Sequence, residues 1–222
     1  MPKNYANRGE SWQFNLVLVL GVLAACLWLG CTPQTGPSSE GYAAQVLDGD
    51  TIVLADGRRV RYLGIDSPEL SSIDLRELKI ARQAHKVNVE LIQGVKLRLE
   101  YGQERYDQYN RLLAYIFLPD GRFLNAELVR QGLAWVFLRS PNLGYQQELV
   151  EAQRQAINQR LGWWQELPPA DEPHYIGNAR SFRFHRPSCP GAQAMSRGNR
   201  RIFQTPLEAY WEGFSPARDC KP

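Results

Sequence analysis

The apolar positions of this chain change period along its length, and those changes mark out its elements. Tyr42 to Leu47 and Thr51 to Ala55 read as strands joined by the turn Asp48-Gly49-Asp50. Asp56-Gly57 makes a second tight turn of the hairpin type, and Arg58 to Ile65 forms a third strand that closes a meander. Pro68 cannot continue a ladder. From about Asp74 to Gln93 the spacing becomes helical, with Leu78, Ala81, Ala84, Val87 and Leu91 three and four residues apart and Gly94 ending the run. Val95 to Tyr101 and Leu112 to Leu118 predict two more strands. Asn125 caps a short helix to Arg130, and a further helix runs from about Asn142 to Arg160, before Gly162. Three strands, a helix, two strands and then helices describe an α+β fold. They are compatible with a five-stranded OB-type Greek-key β-barrel carrying about three helices.

The first 40 residues do not fit that scheme. Residues 1–13 are polar and carry Lys3 and Arg8, and from Phe14 to Cys31 the chain is apolar apart from Asn15 and small residues. This is the layout of an export signal, or of an uncleaved helix just long enough to span a bilayer. Leu23-Ala24-Ala25-Cys26 fits a bacterial lipobox, and Cys31 is a second lipidation candidate because the polar stretch Thr32–Glu40 follows it. The expectation is a signal peptide or membrane anchor over 1–31 and a flexible tether over 32–40. The rest of the chain then lies outside the cytoplasm, anchored in the cell envelope or secreted.

Composition is that of a globular chain, 44% hydrophobic and 22% charged, so the body is expected to be ordered. The formal charge of +3 is unevenly spread. Residues 1–31 carry +1 and residues 171–222 carry +3, which leaves −1 for the middle. Between Arg180 and Arg201 there are six arginines and no acid, a patch that either attracts polyanions or simply solubilises a loop.

Candidate chemistry lies in three fragments. Asp48-Gly49-Asp50-Thr51 puts Asp50 at the start of the second strand, and Arg61-Tyr62-Leu63-Gly64-Ile65-Asp66-Ser67-Pro68-Glu69 puts Asp66 at the end of the third. Neighbouring strands bring those ends together, and two carboxylates meeting there repel unless something cationic lies between them. A hard divalent cation suits oxygen ligands of that kind. The third fragment is Asp107-Gln108-Tyr109-Asn110-Arg111-Leu112-Leu113-Ala114-Tyr115, followed by Asn125-Ala126-Glu127-Leu128.

With these fragments in this order, Tyr42 to Trp164 resembles the staphylococcal nuclease (thermonuclease) family. The resemblance implies an enzyme, a calcium-dependent endonuclease that hydrolyses phosphodiesters of DNA and/or RNA on the 5′-oxygen side and leaves 3′-phosphates. It implies one Ca2+ held by Asp50, Asp66 and the main-chain oxygen of Ser67. It implies Glu69 as the group that orients or deprotonates the attacking water, and Arg61 and Arg111 as the pair that holds the scissile phosphate. Tyr109 matches a substrate-binding tyrosine, whereas a second pocket tyrosine aligns with Leu138. Ser67 stands where threonine is usual, Gln108 replaces a frequent lysine, and Asn110 replaces a glycine. Asp48 and Asp107 are kept as possible support for the calcium shell. The rival reading is a non-catalytic OB module that only binds nucleic acid at the cell envelope. Such relatives lose the acid or an arginine, and this chain keeps both.

After Pro168-Pro169 the tail carries Phe184-His185-Arg186-Pro187-Ser188-Cys189 and Gly213-Phe214-Ser215-Pro216-Ala217-Arg218-Asp219-Cys220. It resembles a small Ada-type metal-binding appendage, but Ala217 stands where that family has a cysteine. His185, Cys189 and Cys220 leave three candidate ligands where a closed zinc site wants four. A Cys189–Cys220 disulfide is favoured over zinc, with free thiols as the other alternative. The division expected is a nuclease-like domain over 41–165, a linker over 166–174 and a small basic, cysteine-containing module over 175–222, in a monomer.

Overall fold

The computed structural model describes residues 38–166 and 169–220. The expected export segment with Cys26 and Cys31, and residues 32–37 of the tether, lie outside the described residues. Among the described residues no helix is long and apolar enough to cross a membrane.

Five strands close a barrel: β1 (Glu40–Val46), β2 (Thr51–Leu54), β3 (Arg59–Tyr62), β5 (Lys96–Tyr106) and β6 (Leu112–Phe117), in the order β1-β2-β3-β6-β5. The meander β1-β2-β3 is antiparallel, as its two Asp/Gly turns require. Strand β6 then pairs with β3 in parallel, Val60 opposite Leu112, and with β5 antiparallel. Helix α1 (Leu75–Ile92) connects β3 and its continuation to β5. Asp74 caps it by accepting from the backbone N–H groups of Arg76 and Glu77. Its buried face, Ile80, Ala81, Ala84 and Ile92, follows the helical spacing read from the sequence. Helices α2 (Leu124–Arg130) and α3 (Gln146–Asn158) complete the barrel half and pack against each other.

Three readings differ from the sequence pattern. Asn125 does not cap α2: it is buried within the helix, where it accepts from the Ile116 N–H and donates to the Leu63 carbonyl, and the cap position is Phe123. The run Arg58–Ile65 is not one strand. Gly64 adopts φ +77°, and a β-carbon there would lie 2.4 Å from the Leu149 side chain. That turn takes β4 (Gly64–Asp66) out of the barrel, where it pairs antiparallel with β7 (Trp135–Phe137). Nor does the last barrel helix begin at Asn142. Asn142 is buried, and its side chain bonds both the N–H and the C=O of Glu104, while its carbonyl accepts from the Tyr115 hydroxyl. An asparagine held in this way staples a loop to β5, and the helix starts only at Gln146.

The tail forms a second sheet, ordered β10-β8-β9-β11, from β8 (Tyr175–Asn178), β9 (Arg183–His185), β10 (Arg200–Phe203) and β11 (Ser215–Pro216). Two short helices, α4 (Pro190–Gln193) and α5 (Pro206–Trp211), accompany it. Its apolar face does not stand alone. Tyr175, Phe184, Phe203, Tyr210 and Phe214 share one core with Ala156 and Ile157 of α3 and with Trp164. Trp164 is fully buried and meets Tyr210 edge-on at 5.0 Å. Gln153, also fully buried, accepts from the Val136 N–H of β7 at 2.7 Å and donates to the Tyr210 carbonyl of α5. From Ser39 onward the chain accordingly packs as one unit.

Candidate active site

The end of β4 and the loop before β6 meet at one cleft, and the acidic turn packs behind it, with Asp50 in contact with Arg61 and Ser67 but not lining the opening. Gly49 makes that packing possible. A β-carbon at this position would lie 2.6–2.7 Å from Ser67 and Ala84, so only glycine lets the Asp48–Asp50 turn lie against Ser67 and α1. Asp50 is thereby buried. One of its oxygens accepts from the Ser67 N–H at 2.8 Å, and the other accepts from the Thr51 hydroxyl at 3.0 Å. Asp66 comes alongside from β4. A single guanidinium nitrogen of Arg61 lies 3.0 Å from Asp50 and 2.6 Å from Asp66. The cation that two converging carboxylates demand is therefore, in this arrangement, Arg61. Its other terminal nitrogen donates to the carbonyls of Tyr62 and Ile65, which fixes the fork.

One arginine does not balance this group. Burial pushes the Asp50 carboxyl up to about 7; Arg61 opposes the shift, and Asp48 and Asp66 add to it. Burial, Asp48 and Asp66 also hold Glu69 above the ordinary carboxylate range, against Arg61 and Arg218. Burial alone would lower the pKa of Arg61, but Asp50, Asp66, Asp48 and Glu69 raise it above the usual value. Burial thus disfavours the ionised forms of Asp50 and Glu69, and Asp48 and Asp66 beside them add to that. A hard divalent cation suits such an all-oxygen set, and the residues present fit calcium on this ground.

Glu69, in the loop after β4, lines a cleft of about 460 Å³ together with Arg61, Asp66, Tyr109 and Arg111. Arg111 is placed by Asp107. One carboxylate oxygen accepts from the Arg111 N–H at 2.9 Å and the other from its Nε at 2.7 Å. Burial would raise the Asp107 pKa, but those bonds hold it below the usual range. Asp107 therefore supports an arginine and not the carboxylate cluster. Asn110, immediately before Arg111, adopts φ +59°, the left-handed conformation that asparagine tolerates and that turns the chain into β6. Tyr109 is exposed at the rim, 5.5 Å from the Arg111 guanidinium carbon. Leu138 is buried and does not line the cleft. Its neighbours Phe137 and Arg139 do.

Sequence reasoning missed Arg59, Arg139 and Arg218, which bring the cleft to five arginines against Asp66, Glu69 and Asp107. The opening therefore favours a polyanion. The basic tail had signalled such a role, but through other residues. Of the six arginines between Arg180 and Arg201, several are structural. Arg183 bonds the Leu138 carbonyl and Ser215, Arg186 pairs with Asp171, and Arg200 bonds the Met195 and Gln193 carbonyls. None of the six lines the cleft.

His185, Cys189 and Cys220 come together, and none of the three lines the cleft. Cys189 and Cys220 are joined as a disulfide with Cα atoms 6.0 Å apart, and His185 Nδ1 lies 3.3 Å from the Cys189 sulfur. Asp219 lies with them, a carboxylate oxygen within 4.8 Å of the His185 nitrogen and of both sulfurs. Burial lowers the His185 pKa, with Asp219 opposing, so folding favours the neutral ring. A depressed pKa stabilises the fold above the unfolded value and loses that contribution as the pH falls through the folded one. The melting temperature is expected to drop between pH 7 and 5, and a His185→Gln variant should show a shallower drop. Equal slopes by differential scanning fluorimetry would refute the assignment.

The sequence model of the family described as staphylococcal nuclease homologue matches residues 59–166. This span holds Arg61, Asp66, Ser67, Glu69, Tyr109 and Arg111, and leaves out Asp50 and the tail. The chain is 34% identical over 136 residues to a thermonuclease of Staphylococcus intermedius, covering 60% of this chain and 80% of that protein. To a thermonuclease of Staphylococcus hyicus it is 33% identical over 123 residues, covering 54% and 72% respectively. To the endonuclease YncB of Bacillus subtilis it is 35% identical over 125 residues, 54% of this chain and 59% of the relative.

Proposed function

The chain belongs to the staphylococcal nuclease family and is a nuclease, and from that premise we propose that it is a calcium-dependent endonuclease acting on DNA and/or RNA. The observation that carries this reading is the meeting of Asp50 and Asp66 on one nitrogen of Arg61, at a cleft that Glu69 and Arg111 also line. Asp50, Asp66 and the Ser67 carbonyl would hold the ion. Bound there, calcium supplies positive charge to the phosphodiester oxygens and to the pentacoordinate transition state.

Arg61, its fork set by the Tyr62 and Ile65 carbonyls, would grip the scissile phosphate beside Arg111. Two guanidinium forks match phosphate oxygens and stay charged at any working pH. Glu69 orients a water and accepts its proton as the water oxygen attacks phosphorus. The bond to the 5′ oxygen breaks and that oxygen takes a proton from solvent, leaving a 3′-phosphate and a 5′-hydroxyl. Tyr109 offers an exposed ring to a base. The protein works as a monomer outside the cytoplasm, held in the envelope through lipid on Cys26 or Cys31 or through an N-terminal helix, or else released.

Hydrolysis of denatured DNA and of RNA by the purified protein, with calcium and then with EGTA, tests the reading. Cleavage should appear with calcium, disappear with the chelator and yield 3′-phosphate ends. Binding of the polymer with no calcium-dependent cleavage would replace the enzyme with a nucleic-acid-binding module.

A further inference from the structure

The tail places one residue in the nuclease cleft from outside the family's matched span. Strand β11 pairs in parallel with β9, and the Ala217 N–H donates to the Phe184 carbonyl at 2.9 Å. Three residues further on, Cys220 is joined to Cys189. The short segment between these two anchors carries Arg218, whose side chain leaves the tail and enters the cleft. A terminal nitrogen lies 3.2 Å from Asp66 Oδ2, the oxygen that Arg61 does not hold. The guanidinium carbon stands 5.4 Å from the Phe137 ring.

This side chain is 77% exposed. An ion pair so open to water contributes about 0–1 kcal/mol, too little to explain a structural role. It can be exchanged for a better anion. Arg61 and Arg111 are both tethered by hydrogen bonds to backbone carbonyls or to Asp107, whereas Arg218 makes one hydrogen bond, to Asp66, lies over the Phe137 ring, and feels Glu69 only at longer range. Once Asp66 serves as a metal ligand, the guanidinium still faces the cleft and needs an anion.

We propose that Arg218 is a substrate-positioning residue that binds a phosphate flanking the scissile one, so that the tail makes the enzyme favour polynucleotides over minimal substrates. This rests on the calcium-nuclease reading of the cleft. The contact is electrostatic and independent of the base, so it reads chain length and not sequence. It also gives the tail a function that its patch of arginines between Arg180 and Arg201 does not supply.

The test compares Arg218→Ala, Arg218→Lys and Arg201→Ala in the full chain. Arg201 is an exposed tail arginine that does not line the cleft, and its variant removes the same charge. On single-stranded DNA with calcium, Arg218→Ala should raise KM about 10-fold with a smaller change in kcat, and its KM should depend less steeply on salt. The loss of one phosphate contact lowers the salt slope by about 0.7 on single strands. Arg218→Lys should recover most of both effects, and Arg201→Ala should show neither. For a dinucleotide with its single phosphodiester, the KM penalty of Arg218→Ala should be several-fold smaller than for the polymer. Equal penalties on polymer and dinucleotide, or an equal effect of Arg201→Ala, would overturn the proposal. To separate its failure from that of the parent reading, the same variants are measured in a Glu69→Gln background by fluorescence anisotropy of a labelled oligonucleotide with calcium. Absence of cleavage in the parent protein sinks the enzyme reading. An unchanged Kd on removing Arg218 sinks this one.

Discussion

Changing Glu69 to glutamine is expected to lower kcat on denatured DNA by about 10²–10⁴-fold, the usual range for loss of a positioned general base. The substitution keeps the size of the side chain and removes only its ability to take a proton. Glu69 lines the cleft without bonding Arg61, and calcium affinity measured by titration calorimetry should therefore change little. Stability should not fall either. The folded site raises the Glu69 pKa, chiefly by burial. A raised pKa means that the ionised form is disfavoured in the fold, and that stability is lost as the pH rises through the folded value. At pH 7 in EGTA, glutamine removes that disfavoured charge, and the variant should melt at or slightly above the parent temperature. An active-site acid that opposes stability is a known signature of function. A variant that cleaved as fast as the parent would eliminate Glu69 as the base, whatever its stability.

The second large effect concerns the joint between barrel and tail. Trp164→Ala is expected to destabilise the protein by about 3–5 kcal/mol, the range for emptying a large buried aromatic site. For a chain of this size each kcal/mol lowers Tm by about 2–4 °C, so a fall of about 10 °C should be seen. The cause is specific. Trp164 is fully buried, shares one core with Ile157 of α3 and meets the ring of Tyr210 in the tail edge-on. A decrease below 2 °C in a thermal scan would mean that the two halves do not depend on a common core.

The barrel was legible because its signals are local. Asp48-Gly49-Asp50 and Asp56-Gly57 each specify a turn, and the switch to helical spacing at Leu78 specifies α1. The carboxylates and Arg61 were legible only in part. The β2–β3 pairing sets Thr51 opposite Arg61 and so brings Asp50 to it, whereas Asp66 reaches Arg61 from β4, which has left the barrel to pair with β7. What escaped was decided by partners far along the chain. Gly64 reads as an ordinary strand residue until Leu149 is packed against it. Strand β7 has three residues and no alternation to detect. Asn142 looks like a helix start, but its side chain is satisfied by Glu104. Arg218 is 152 residues from Asp66, and no periodicity links them. Leu138 aligns with a pocket tyrosine, yet its side chain turns inward because β7 next to it is fastened to β4.

The parallel pairing of β3 with β6 has a kinetic side. Val60 meets Leu112 across the intervening β4, α1 and β5, so the ring cannot close by zipping from a hairpin. Loop-closure entropy must be met before that contact stabilises anything, and domains dominated by such contacts fold in milliseconds to seconds. During synthesis or delivery from the N-terminus, β1, β2 and β3 emerge as a three-stranded meander with both edges open. They wait for β5 and β6, and the aromatic face of the last sheet arrives later still. Assembly is therefore ordered by topology: meander, then ring, then the tail that completes the cleft.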